Sequence, residues 1–173
     1  MFQPFFEVRA LLKHYIKLFK AFGYAFQGIW TVLRDERNFR IHLTCICYML
    51  GFLLLTDWFV LSRADWAILL LACALVLSLE IVNTALESVV DLATQERRPL
   101  AKRAKDAAAG AVLIAAVFAV IVGLVILLQP AAFRAMFAYF STHLPAFALF
   151  VLSIIPATLF IFFGFGKGKR KDG

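Results

Sequence analysis

Between Ser78 and Leu92 an otherwise apolar stretch, SLEIVNTALESVVDL, carries two glutamates, an asparagine and an aspartate. On a helix, Glu80, Asn83, Thr84, Glu87 and Asp91 follow one another at intervals of three and four, which places them on one face. Ile81, Val82, Ala85, Leu86, Val89 and Val90 point elsewhere. An acid at the centre of a membrane-embedded helix costs about 2.5–3.5 kcal/mol on insertion scales, so two of them need partners or a purpose. A purely structural stripe would pair each acid with a base, yet residues 66–90 contain no Lys or Arg. The compensating charge must come from another segment or from a bound cation. The next segment, PLAKRAKDAAAGAVLIAA, begins with Lys102, Arg103 and Lys105, followed by Asp106. A phosphate chain at this level would meet Lys105 and Arg103, with Mg2+ held by Glu87 and neighbouring acids. Glu36, in RDERNFRIH, stands where one helix turns into the next and can face the same level. Gly110, one turn after Asp106, leaves room for a backbone or ligand to approach closely.

The elements that must position these residues are membrane spans. Hydrophobic residues make up 63% of the 173-residue chain and charged ones 17%, against about 45–50% apolar for a soluble domain. Four runs approach the ~20 residues needed to cross a bilayer: 43–61, 66–90, 107–128 and 144–165. Ahead of them, residues 5–33 place Lys13, Lys17 and Lys20 among Leu12, Ile16, Phe19, Phe22 and Phe26 at helical spacing, a basic amphipathic helix suited to the interface. The Lys+Arg counts of successive extramembrane segments are 7, 1, 5, 1 and 4. That alternation puts both termini on the cytoplasmic side. As a helix, 66–90 would be ~37 Å long against a hydrocarbon core of ~30 Å. Its end therefore carries Glu87 and Asp91 into the headgroup layer, while Glu80 lies deeper. Such a stripe lets a water-soluble anion meet a lipid.

The remaining features are structural. Cys45, Cys47 and Cys73 lie in apolar runs without the second pair or histidines that a zinc site needs. The net charge of +7 fits flanks of membrane spans and gives no support for nucleic-acid binding. No cleavable signal peptide is expected, since charges interrupt the first 26 residues. Trp58 and Trp66 flank an external turn, Asp57 reads as a boundary residue, and the 19 phenylalanines read as lipid-facing packing and an aromatic belt. Gln129-Pro130 ends the third span, a loop over 129–143 follows, and Pro156 should kink the fourth span. GFGKGKRK (164–171) lacks phosphate-loop spacing and reads as part of a solvated, disordered tail. His14, His42 and His143 read as satisfied interfacial histidines.

Three pieces, ERNFRIH (36–42), LEIVNTALESVVDL (79–92) and LAKRAKDAAAGAVLIAAVFAVIVG (100–123), together resemble the prokaryotic integral-membrane lipid kinases, the diacylglycerol and undecaprenol kinases. The resemblance covers roughly residues 20–128 in order and spacing. It implies that Glu80 is the general base for the lipid hydroxyl and that Glu87 and Glu36 hold Mg2+ on ATP. It also implies that Asn83 stands by the reacting groups, that Asp91, Lys105 and Asp106 serve the nucleotide and phosphate end with Arg103 beside them, and that the protein works as a homotrimer with shared sites. Members usually end after three spans, so residues 129–173 are an addition.

The expected architecture is an all-α integral membrane protein. It has an N-terminal interfacial helix (1–42), a three-span kinase core (43–128) and an extra C-terminal span with a basic tail (129–173). The expected activity is phosphoryl transfer from Mg-ATP to a lipid alcohol at the cytoplasmic face of a bacterial inner membrane, with undecaprenol ahead of diacylglycerol. A proton or cation conductor is the rival, but acids do not continue through 67–79 towards the outer side. A non-catalytic relative would have no use for Glu36, Glu80, Glu87, Lys105 and Asp106 together.

Overall fold

Among the described residues, long apolar runs separated by short helix stops fold into six helices. The computed structural model describes residues 4–165, with side chains from Tyr15 onward. The helices are α1 (Pro4–Asp35), α2 (Arg37–Leu55), α3 (Arg63–Ala93), α4 (Pro99–Leu127), α5 (Pro130–Thr142) and α6 (Leu144–Phe163). Four of them, α2, α3, α4 and α6, are long and apolar enough to cross a membrane. The all-helical membrane architecture expected from the sequence is thus present. The side chains of Leu12, Lys13 and His14, and the tail 166–173, lie outside the described residues.

Along the described side chains of α1, from Tyr15 onward, Tyr15, Ile16, Phe19, Phe22 and Phe26 are exposed, and Val32 is the first that is buried. An apolar face left uncovered over residues 15–31 fits a helix lying in the interface. A single extended residue, Glu36, separates α1 from α2. That break moves the first span: expected over 43–61, the helix runs over Arg37–Leu55. The apolar letters WFVL continue past its end, but Thr56 is extended and the chain stays irregular to Ser62. Irregular backbone at the edge of a bilayer needs protein partners. Gln129 supplies them, accepting from Val60 N–H at 3.1 Å and donating to Val60 C=O at 3.0 Å. Trp58 lies against Phe52, Tyr139 and Phe140, with ring centroids 5.5–6.1 Å apart.

Ser62 and Asp65 form a capping box that starts α3: Ser62 Oγ accepts from Asp65 N–H, and Asp65 Oδ2 accepts from Ser62 N–H at 2.8 Å. α3 and α4 then pack along their length, burying Leu69, Val76 and Glu80 on one helix and Ala108, Val112 and Ala115 on the other. The small residues of α4 let the two backbones lie close. The connection between α3 and α4 is only residues 94–98, because both helices run beyond the expected spans.

Where a loop over 129–143 was expected, α5 forms. Pro130 had been read as a stop, but it occupies the first turn of a new helix, where its fixed φ and missing N–H cost nothing. At 13 residues α5 is about 20 Å long, too short to span. The fourth span, α6, continues through Pro156. It packs against α2 and α5 and leaves α3 and α4 uncovered. Its contacts with α2 include Tyr48 Oη to Ser153 Oγ at 2.8 Å and the Phe52–Phe150 ring pair.

Arg40 secures this added helix. It is buried at 5% exposure and donates to the carbonyls of Leu33 and Arg34 at the end of α1, and to that of Ile161 at the end of α6. A cation on the orphan carbonyls of two helix C-termini satisfies both hydrogen bonding and helix dipoles. Gly164 follows with φ +56, and a Cβ there would sit 3.1 Å from the Arg40 guanidinium. Glycine is needed on both counts. Substituting Arg40→Leu strips three carbonyls of their donor. The expected loss is roughly 3 kcal/mol, read as a lower unfolding temperature in detergent and as faster amide exchange in the last turns of α1 and α6.

Candidate active site

On α3 the polar face runs from an enclosed end to an open one. The side chain of Glu80 is 4% exposed and that of Asp91 is 61% exposed, with Asn83 and Glu87 half-buried between them. Thr84 turns its hydroxyl back to the Glu80 carbonyl at 3.0 Å, so it serves the helix rather than the stripe. Asn83 Nδ2 donates to Glu87 Oε1 at 2.9 Å, whereas Asn83 Oδ1 is buried with no partner among the described residues. A buried acceptor without a donor is costly unless a ligand or another chain completes it.

From α2, His42 brings Nε2 to 3.2 Å from Glu80 Oε1. The sequence reading had left His42 as an ordinary interfacial histidine, because periodicity along α3 says nothing about what α2 lays against it. Glu36 lies in the field of the same acids. Burial, followed by the negative charges of Glu87, Glu80 and Asp35, pushes its carboxyl above the usual carboxylate range, and Arg40 opposes the shift. Asn38, His42, Glu80 and Asn83 form the polar wall of a cavity of about 190 Å³, closed on the other side by apolar residues of α4 that include Val112 and Ala116.

Towards the open end, Lys105 Nζ meets Asp91 Oδ1 at 2.5 Å, and Lys102 lies 4.0 Å from Asp106. Both pairs are largely exposed and add little stability. Asp91, Lys105 and Asp106 line a second cavity, about 600 Å³ in volume, formed by the end of α3, the 94–98 connection and the start of α4. Arg103 is exposed on α4 and does not line it. Lys102 does, and so do Arg97 and Arg98, which by sequence count only as flanking charge. A Cβ at Gly110 would meet nothing within 4 Å in this chain, so packing inside the chain does not require the glycine. A third cavity of about 700 Å³ lies at the far end, among Met49, Phe52, Phe133, Phe137 and Phe150; its walls are apolar apart from Ser141.

The arrangement is an enclosed carboxylate beside an imidazole, a group of acids around Glu36 and Glu87, and a basic cavity at the surface. All of it falls within the segment matched by the family of prokaryotic diacylglycerol kinases, residues 23–127. The chain belongs to this family. It is 47% identical over 114 residues to the undecaprenol kinase of Bacillus subtilis, across 65% of this chain and 89% of that protein. It is 48% identical over 115 residues to a diacylglycerol kinase of Synechocystis sp., across 65% of this chain but only 63% of that longer relative. To the diacylglycerol kinase of Escherichia coli K12 it is 32% identical over 113 residues, across 65% of this chain and 90% of that protein. The chain is accordingly a membrane lipid kinase with ATP as co-substrate. Helices α5 and α6 lie beyond the matched segment, and α6 is placed away from the α3–α4 face that carries the acids.

Among the described residues, no group of three His, Cys, Asp or Glu side chains forms a ready-made metal cage. Mg2+ needs none: it is usually held by one or two carboxylates together with water and substrate phosphates. Glu36, raised by burial and then by the neighbouring negative charges, and the orphaned Asn83 Oδ1 beside Glu87 are features that such a cation would relieve.

Proposed function

We propose that this kinase phosphorylates undecaprenol, transferring the γ-phosphoryl group of Mg-ATP to the lipid hydroxyl at the cytoplasmic face of a bacterial inner membrane. The single observation that carries the reading is the placement of Glu80. A carboxylate this enclosed, in a cavity with one polar and one apolar wall, is suited to receive a hydroxyl on an apolar chain. Undecaprenol is preferred because the relative bearing that activity is 47% identical across 89% of its length, whereas the diacylglycerol kinases are 48% identical across only 63% (Synechocystis) or 32% identical across 90% (Escherichia coli). Diacylglycerol presents the same chemistry and is the second reading, supported by the names of other relatives.

In this reading Glu80 accepts the hydroxyl proton as the lipid oxygen attacks the γ-phosphorus, and ADP leaves with the electrons of the broken P–O bond. Glu36 and Glu87 would hold Mg2+, which when bound neutralises charge on the phosphates. Asn83, with an acceptor still unpaired, orients the reacting groups. Lys105, drawn to Asp91, and Asp106 serve the nucleotide end; Arg103 would join them from outside the cavity they line, next to Lys102, which lines it. Assembly as a homotrimer with shared sites, and cytoplasmic termini, belong to the same proposal. Support for the assembly is that the spans leave most of their apolar surface uncovered within the chain, and support for the orientation is the alternation of Lys and Arg between the segments that flank the spans.

The test is transfer of labelled γ-phosphate by the purified protein in mixed micelles, with undecaprenol and diacylglycerol offered separately. Faster labelling of undecaprenol is expected. Labelling of diacylglycerol alone would replace the substrate, and labelling of neither by a folded protein would remove the assignment.

A further inference from the structure

Among the described residues, a single side chain reaches the Glu80 carboxylate: His42, with Nε2 3.2 Å from Oε1. Of the other polar side chains nearby, Asn38 lines the same cavity without bonding the carboxylate, and two make their bonds elsewhere. Asn83 bonds Glu87, and Thr84 bonds a backbone carbonyl. From α4 the cavity presents apolar residues such as Val112 and Leu113. The imidazole is therefore the one group that determines how this buried carboxylate is turned.

We propose that His42 is the positioning residue for the base: its Nε2–H donates to Glu80 Oε1, holds the plane of the carboxyl group, and leaves Oε2 to face the lipid hydroxyl. The inference rests on the reading of Glu80 as the base. A carboxylate with one oxygen tied is preorganised, whereas an untied one in an apolar cavity samples orientations that place neither oxygen on the incoming proton. His42 suits the task because α2 holds it across from α3. Its side chain is 27% exposed, so the pair sits where the enclosed end of the stripe begins to open.

Three variants of the full-length protein test this, alongside wild type. In His42→Gln the amide nitrogen can take the place of Nε2, so kcat should stay within about threefold of wild type. His42→Leu fills similar space without a donor, and kcat should fall about 30-fold while KM for Mg-ATP and for lipid stays within about twofold. In a Glu80→Gln background, His42→Leu should change the residual rate by less than about twofold, because its effect passes through the carboxylate. A His42→Leu enzyme within about threefold of wild type would overturn the proposal. So would a folded Gln variant as impaired as the Leu variant, or an undiminished cost of His42→Leu in the Glu80→Gln background. If the Leu variant fails to fold in detergent, the Gln variant decides alone: retained kcat supports the proposal, and a kcat reduced about 30-fold overturns it. Failure of the base itself reads differently, as a Glu80→Gln enzyme that keeps its wild-type rate.

Discussion

Glu80→Gln is expected to lower kcat for lipid phosphorylation by about 10²–10⁴-fold, the range that a positioned general base contributes. KM for Mg-ATP should barely move, because Glu80 sits at the enclosed end of the stripe and not in the basic cavity beside Asp91 and Lys105. The fold should survive. Gln has the shape of Glu, its Oε1 can still accept from His42, and a neutral amide is easier to enclose than a carboxylate. An unfolding temperature equal to or above that of wild type, together with near-absent labelled lipid, is the expected pair of results. A variant that keeps more than about a tenth of wild-type kcat would show that the hydroxyl loses its proton without Glu80.

Replacing Glu36 or Glu87 by Gln should raise the Mg2+ concentration for half-maximal activity roughly tenfold or more, the equivalent of ~1.4 kcal/mol in affinity. Part of the rate should return at saturating Mg2+, which distinguishes these variants from Glu80→Gln. Glu36 also predicts a pH effect on the protein free of metal and nucleotide. Burial and the neighbouring acids raise its folded pKa above the unfolded value. The protonated form is thus the one the fold favours. Below the unfolded pKa the group costs nothing, and the cost grows as pH rises through the folded pKa and is complete above it. Thermal stability should therefore fall over that interval in wild type and stay flatter in Glu36→Gln. Added Mg2+ should recover more stability in wild type than in the variant. Equal pH profiles for the two proteins would remove Glu36 from the acidic group.

Several elements were legible because their signals are local. The i, i+3, i+4 spacing of Glu80, Asn83, Glu87 and Asp91 needs only a helix to become one face. Ser62 and Asp65 form the capping box that starts α3 at Arg63, an equally local signal, although the apolar run places the start of that span only at residue 66. Other signals were ambiguous within the chain itself. Pro130 after Gln129 reads equally as the end of one helix and as the first turn of another, and the apolar run after Leu55 reads as helix although the backbone there is irregular. In both cases contacts made far along the sequence decide: the Gln129 amide on Val60, 69 residues apart, and the aromatic cluster between Trp58 and α5.

By itself the sequence determined a four-span helical membrane protein and a graded stripe of acids followed by cations, since these follow from composition and periodicity, and the likeness of its three motifs to a known family pointed to the family. Tertiary structure alone decided that His42 faces Glu80. It also decided that Arg40 joins the ends of α1 and α6, whose Ile161 carbonyl lies 121 residues away, and that Arg97 and Arg98 rather than Arg103 line the basic cavity. The physical reason is the same in each case. A side chain's place on its own helix follows from helical geometry, but its partner is set by how separate helices pack, and no local spacing encodes that.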